Sequence, residues 1–210
     1  MKKIIVILVA VLFVIFPSGV FADEVNNSNT FKLDINSSDV EISEPMTFDE
    51  LVISFANNEG VTVDEAKALL GISSAQESYN INSARAKQTF RTISQTLNVS
   101  NEYKPKINFY IETDESRYYG FIKEVKWVNF NRIYNDISYF YDGTLYCNLE
   151  DVTTIYYTMD GDWFLNGKQS AAIDLNLKVN ESISVGITST YSSEHYKGFY
   201  CANKLHWGKA

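Results

Sequence analysis

The chain has 210 residues, of which 26 are acidic and 18 are basic, so its formal net charge is −8 at pH 7. A negative surface repels phosphate groups, and the sequence contains no stripe of lysine and arginine. Nucleic acid and anionic lipid are therefore poor candidate partners. A chain of this length can bury one substantial core, which predicts one main domain.

Residues 1–22 have the three parts of a secretory signal peptide. A short positive start precedes an apolar run at 4–16, and Val20 and Ala22 are small enough for cleavage before Asp23. The run is shorter than the roughly 20 residues that a membrane-spanning helix needs, which favours cleavage over an uncleaved anchor. We therefore expect a secreted, extracellular protein with no stable membrane anchor after cleavage.

The chain has two cysteines, Cys147 and Cys201. In an exported protein an even number of cysteines favours a disulfide, which would contribute about 2–4 kcal/mol of stability. The alternative is a catalytic thiol activated by the nearby His195. On one strand, however, His195 and Cys201 would lie about 20 Å apart at ~3.3 Å per residue, too far for a catalytic dyad. The sequence therefore predicts a Cys147–Cys201 disulfide.

The first part of the mature chain divides into a leader and a helical hairpin. Residues 23–46 hold six acids and one lysine among many Asn and Ser, a composition that predicts a flexible leader. Residues 47–72 hold two capping boxes, Thr47-Phe48-Asp49-Glu50 and Thr62-Val63-Asp64-Glu65. Two short helices with a tight turn resemble a DNA-binding motif, but the second helix is acidic. We interpret the hairpin as a docking or spacer element.

Residues 85–210 have the composition of β-structure. Tyr, Phe, Thr, Ile and Val are frequent, and turn residues separate short runs. We expect strands near 88–99, 106–112, 119–128, 137–141, 144–149, 153–159, 171–179, 182–190 and 196–206. Asp142-Gly143 predicts a two-residue β-hairpin. The predicted fold class is mainly β: an antiparallel β-sandwich preceded by a short two-helix hairpin.

Two stretches of the β region share features with a known class of protein. They are Thr96-Leu97-Asn98-Val99 through Tyr103-Lys104-Pro105-Lys106 and Phe109-Tyr110-Ile111-Glu112-Thr113, then Leu149-Glu150-Asp151 with Ile155-Tyr156-Tyr157-Thr158-Met159-Asp160-Gly161-Asp162. Over about residues 90–207 the chain resembles uncharacterised small secreted β-rich proteins of Gram-positive bacteria. This resemblance implies export and a β fold, and it supplies no active site.

The segment Asp160-Gly161-Asp162 has two interpretations. A tight turn is favoured, with a positive φ at Gly161 and both aspartates in solvent. A calcium site would use the two carboxylates, but the residues that follow lack the further ligands of an EF-hand loop. Asp160 and Asp162 are therefore weak metal candidates, and we expect no cofactor.

Aromatic residues are concentrated in the β region. Neighbouring strand residues face opposite sides, so one side is expected to form the core while the other can offer rings to a sugar or a protein. Our candidate binding residues are Trp163, Trp207, Tyr156 and Tyr196, whereas Trp127 is expected in the core. The alternative is that all these rings fill the core, because aromatic residues favour pleated surfaces.

The sequence contains no catalytic signature, and we identify no catalytic residues. We expect a secreted non-enzymatic protein that binds an extracellular protein or glycan at the cell surface or in the medium. The second hypothesis is a secreted toxin or antimicrobial factor, and the third is an extracellular hydrolase. Exposed apolar surface on a hairpin favours the toxin, exposed rings in a groove favour a glycan binder, and converging carboxylates favour the enzyme.

Overall fold

The computed structural model describes residues 39–72, 88–115, 120–165, 168–169, 173–190 and 194–207. The helices are α1 Phe48–Glu59 and α2 Val63–Leu69. The strands are β1 Val40–Ile42, β2 Thr89–Thr96, β3 Lys106–Asp114, β4 Phe121–Asn131, β5 Ile133–Tyr134, β6 Ile137–Ser138, β7 Phe140–Asp151, β8 Thr154–Phe164, β9 Lys168–Gln169, β10 Ile173–Lys178, β11 Ser182–Ile187, β12 Ser189–Thr190 and β13 His195–His206. The proposed signal peptide lies outside the described residues.

Two antiparallel sheets form a β-sandwich. The first sheet has the strand order β1-β2-β3-β4-β10, and the second has the order β11-β7-β8-β13. Two small two-stranded sheets, β9 with β12 and β5 with β6, complete the described strands. The predicted fold class, a mainly β sandwich preceded by a two-helix hairpin, is confirmed. No helix of the described part is long and apolar enough to cross a membrane.

The main core lies between the facing sides of the two sheets. Its largest fully buried side chains include Trp163, Tyr157 and Phe109, which come from both sheets. The Tyr157 hydroxyl donates to Gln95 Oε1 across the core at 2.6 Å and accepts from Asn203 Nδ2 at 3.1 Å. The buried phenol is therefore hydrogen-bonded, which avoids the cost of an unpaired polar group.

The helical hairpin covers the outer side of the first sheet and makes a second core. Thr47 and Thr62 cap the two helices in the predicted capping boxes. The buried residues of this second core are Leu51, Val52, Phe55, Ala56, Ala66, Leu70, Phe90, Tyr110 and Trp127. Trp127 is 9 % exposed, which confirms its expected place in a core. The hairpin is therefore a packed layer of the fold, and its interpretation as a docking or spacer element stays a prediction.

The end of the predicted leader is ordered. β1 pairs antiparallel with β2, and Met46 forms a further bridge to Phe90. Residues 39–46 therefore contribute an edge strand, which corrects the flexible-leader prediction for them. Residues 23–38 lie outside the described part of the chain.

The turn after β10 passes from one sheet to the other. Asn180 has φ 64°, in the left-handed region that Asn tolerates better than most residues. Its N–H donates to the Leu149 carbonyl at 2.8 Å, and the Leu149 N–H donates to the Glu181 carbonyl at 3.2 Å. The turn is therefore fixed to β7 and carries the chain from the first sheet into the second.

β7 and β8 are longer than the sequence predicts, because their glycines lie inside strands. Gly143 lies directly opposite Gly161 in the β7–β8 ladder. A Cβ on Gly143 would lie 2.6 Å from Gly161 Cα and 2.7 Å from the Tyr141 hydroxyl. That hydroxyl occupies the space and donates to the Thr144 carbonyl at 3.3 Å. The hairpin prediction at 142–143 and the turn prediction at 160–162 are therefore wrong.

We expect Gly143→Ala to lower the free energy of unfolding by about 1–3 kcal/mol, because the added methyl group overpacks the β7–β8 contact. Gly186→Ala is the matched control, since a Cβ on this strand glycine meets no atom within 4 Å. It should leave stability nearly unchanged or raise it slightly. Urea unfolding of both variants measures the difference, and equal stabilities would contradict the proposed close contact.

Candidate functional site

A solvent-open concavity lies where the β2–β3 loop meets the start of β13. Its volume is ≈ 590 Å³, within the range of about 300–1,000 Å³ that is typical of small-molecule sites. It is lined by Asn98, Val99, Ser100, Asn101, Glu102, Lys104, Tyr196 and Lys197. Of the four predicted binding residues, the structure places Tyr196 in this lining.

Ser100 fixes the geometry of the loop. Its Oγ accepts hydrogen bonds from the backbone N–H groups of Glu102 at 3.2 Å and Tyr103 at 3.0 Å. The same Oγ lies 2.8 Å from the hydroxyl of Tyr196 on β13, in a third hydrogen bond, which joins two side chains. One serine therefore shapes the loop and ties it to the opposite sheet.

Two further tyrosines pack behind Tyr196, which is the tyrosine that lines the concavity. The rings of Tyr139 and Tyr196 lie 4.3 Å apart between centroids, and the fully buried Tyr103 ring lies 4.5 Å from Tyr139. The Tyr103 hydroxyl donates to the Arg132 carbonyl at 3.0 Å and accepts from the Tyr139 N–H at 3.3 Å. Burial raises the pKa of Tyr103 well above its usual value, so the phenol stays neutral. The ring positions are fixed before any ligand arrives, which lowers the entropy cost of binding.

Trp163 is not a binding residue. It is 0 % exposed on the inner side of β8, and its ring lies 5.3 Å from Tyr141 and 5.4 Å from Tyr103. The turn predicted at 160–162 would place Trp163 directly after a turn, where side chains are more often exposed. Because the preceding Asp-Gly-Asp segment is strand, the alternation of β8 directs this ring into the core.

Trp207 is half-buried and packs against the fold. A Cβ on Gly120 would lie 2.6 Å from its Cη2 atom, so the ring rests directly against that glycine. The Arg91 guanidinium lies 5.6 Å from the ring centroid, and the backbone N–H of Trp207 donates to the Thr153 carbonyl at 2.7 Å. These contacts give Trp207 a structural role, and it does not line the concavity.

Tyr156 lies on the outer face of the second sheet. Its ring is 6.1 Å from that of Tyr146 and 5.8 Å from Lys204 Nζ, and Tyr200 on the same face is 68 % exposed. Strand alternation places these side chains opposite the core residues of β7, β8 and β13. This face is a second, flat aromatic surface, separate from the concavity that contains Tyr196.

Asp160 and Asp162 also project from the outer face of β8, where strand alternation puts them on the same side as Tyr156. Asp162 Oδ1 lies 2.8 Å from His195 Nε2. In the described ranges, no group of three or more His, Cys, Asp or Glu side chains is arranged to hold a metal ion. The weak metal assignment of these aspartates therefore gains no support from the fold.

Cys147 and Cys201 are free cysteines in the structure, which does not contain the predicted disulfide. Cys147 lies on β7 opposite Tyr157, and Cys201 lies on β13 opposite Met159. Because β8 runs between them, two interstrand spacings of about 4.8 Å separate their backbones, more than the ~7 Å that a disulfide allows. Burial raises the pKa of both thiols to about 12, which also opposes a catalytic thiolate.

We expect the native protein to resist alkylation by iodoacetamide at both cysteines and to take two labels once it is unfolded in guanidinium chloride without reductant. The reason is that both thiols are shielded by the sandwich, and neither is bonded to the other. Intact-mass measurement before and after labelling gives the number of labels on each chain. A native mass two hydrogens short, with no labelling after unfolding, would contradict the separation of the cysteines.

The side-chain carboxyl group of Glu59, the last residue of α1, is partly buried. Burial raises its pKa to about 7, although the positive charge of Arg132 and a 2.6 Å hydrogen bond from Asn129 Nδ2 favour the ionised form. A glycosidase pairs such an acid with a second carboxyl group across the substrate. Glu59 is not in the lining of the concavity, where Glu102 is the single carboxylate.

The raised pKa of Glu59 predicts a pH-dependent stability. The folded state binds the Glu59 proton more tightly than the unfolded chain does. The protonated carboxyl group therefore contributes fully to the free energy of unfolding below pH 4.5, and this contribution is lost as the pH rises through about 7. We expect wild-type protein to unfold at a lower urea concentration at pH 8 than at pH 5. Glu59→Gln should flatten this part of the profile, and an unchanged slope would contradict the assignment.

The chain has no match among protein-family models, and neither the curated proteins nor the solved structures include one that is significantly similar to it. The β2–β3 loop carries no sequence motif that identifies it as a site. The available signal was the polar run of Asn98, Ser100, Asn101 and Glu102 between two strands, since loops held by a rigid scaffold often carry binding residues.

Proposed function

We propose that this is a secreted, non-enzymatic binding protein whose concavity holds a saccharide of the cell surface or medium. The observation that carries the proposal is the Tyr196 ring, held against Tyr139 and hydrogen-bonded to Ser100 at the edge of a polar concavity. Tyrosine rings pack against the apolar faces of sugars, while amide and hydroxyl groups bond to sugar hydroxyls. Asn98 and Asn101 supply such amides in the lining.

The lining favours binding over hydrolysis. Cleavage of a glycosidic bond uses two carboxyl groups on either side of the bond, one as acid and one as base or nucleophile. Among the lining residues Glu102 is the single carboxylate. Export follows from the signal-peptide pattern at 1–22 and belongs to the same proposal.

The alternative of a secreted toxin or antimicrobial factor has one observation in its favour. Three apolar residues of the helical hairpin, Ile53, Val63 and Leu69, are 40–47 % exposed. Exposed apolar side chains of this kind can contact a membrane or another protein. Release of dye from lipid vesicles by the purified protein would favour this alternative. Intact vesicles would count against a toxin that disrupts membranes.

We expect Tyr196→Ala to weaken saccharide binding by about 1–3 kcal/mol, the usual cost of removing an aromatic contact at a binding site. A glycan array identifies a bound saccharide, and calorimetry then compares the variants. Tyr200→Ala is the matched control, because Tyr200 is an exposed tyrosine of the same strand on the outer face of its sheet.

Thermal unfolding beside the calorimetry separates loss of binding from loss of fold. Equal affinities of the Tyr196→Ala and Tyr200→Ala variants, both folded, would overturn the assignment of the concavity. The absence of any saccharide ligand on the array would overturn the proposed function.

A further inference from the structure

The concavity has a different charge pattern from most of the acidic protein. Outside it, five basic side chains of the described residues are matched by carboxylates at short range. The ion pairs that show this are Arg91–Glu115 at 2.8 Å, Lys106–Glu41 at 2.7 Å, Lys126–Glu124 at 2.5 Å, Lys204–Glu150 at 2.7 Å, and Lys123–Glu112. In each pair the positive charge is already engaged inside the molecule.

Lys104 and Lys197 differ from these five, because neither forms an ion pair with any residue in the part of the chain that the structure describes. Both line the concavity, Lys104 from the β2–β3 loop and Lys197 from β13. Lys104 is half-buried and Lys197 is exposed. Two lysines that face one concavity without a carboxylate partner in the described chain attract an anion.

We propose that the ligand of this concavity is an acidic oligosaccharide, whose pyranose ring packs on Tyr196 and whose carboxylate lies between Lys104 and Lys197. This inference rests on the proposed function and adds the chemical class of the ligand. The ring contact supplies apolar area, and the lysines supply a charge preference that a neutral sugar does not use.

Glu102 determines the orientation of the bound sugar in the concavity. It is the one carboxylate in the lining, and its negative charge contributes to the raised pKa of Tyr139, after burial and the neighbouring Tyr196. An acidic ligand is repelled by Glu102 and attracted by the lysines, so its carboxylate turns toward Lys104 and Lys197. Its hydroxyl groups remain available to donate hydrogen bonds to Glu102.

The test uses three probes on the full mature chain: trigalacturonic acid, its methyl ester and triglutamate. The ester keeps the sugar rings and removes the negative charges, while the peptide keeps the charges and removes the rings. We expect the acid to bind more tightly than either, with an affinity that falls as salt is added. Lys104→Gln and Lys197→Gln should each weaken its binding by about two- to five-fold, the range for a solvent-screened ionic contact.

Lys178→Gln is the control for these variants. It makes the same charge change on β10, and Lys178 does not line the concavity. This variant should bind the acid as wild type does. Calorimetry gives the affinities, and the neutral ester should bind equally to wild type and to all three lysine variants.

The outcomes separate the two proposals. Tyr196-dependent binding of the ester as tight as that of the acid overturns the acidic-ligand inference and leaves saccharide binding intact. Binding of triglutamate as tight as that of the acid overturns the sugar-ring part of the inference, and no binding of the acid overturns it entirely. If Tyr196→Ala changes the affinity for no bound saccharide, both proposals fail.

Discussion

Aromatic packing between the two sheets is the interaction on which the rest of the structure depends. Trp163 is fully buried and contacts Tyr103 and Tyr141, so it joins the core to the end of the sandwich that holds the concavity. Tyr103 in turn fixes the Tyr139 ring and backbone, and Tyr139 lies against Tyr196. The rings of the candidate site are therefore an extension of the core, which explains how a surface loop can hold a fixed geometry.

The two outer faces of the sandwich differ in how far their aromatic side chains are buried. The helical hairpin covers the outer side of the first sheet, where Tyr110 and Trp127 are buried. The outer face of the second sheet leaves Tyr200 largely exposed. The proposed site lies at neither face but at an end, where Ser100 joins the loop to β13 through the Tyr196 hydroxyl. A concave end surrounds a ligand better than a flat face does.

Local signals predicted the fold well, and tertiary contacts explain the errors. The capping boxes at Thr47 and Thr62 depend on neighbouring residues, and both were confirmed. Asp142-Gly143 has the sequence of a turn, but its glycine is needed for the close approach to Gly161, a partner that the local sequence does not reveal. Of the site, only Tyr196 was predicted. The loop partner and the burial of the other candidate rings follow from how the two sheets pack.

Mapping the ligand contact by NMR tests the central claim most directly. Titration of the ¹⁵N-labelled protein with trigalacturonic acid should shift the amide signals of residues 98–104 and 196–197, which line or border the concavity. The signals of β11, Ser182–Ile187, should stay unchanged, since that strand lies at the far edge of the second sheet from β13. Shifts centred on Tyr156 and Tyr200 instead, or no shifts at all, would contradict the account.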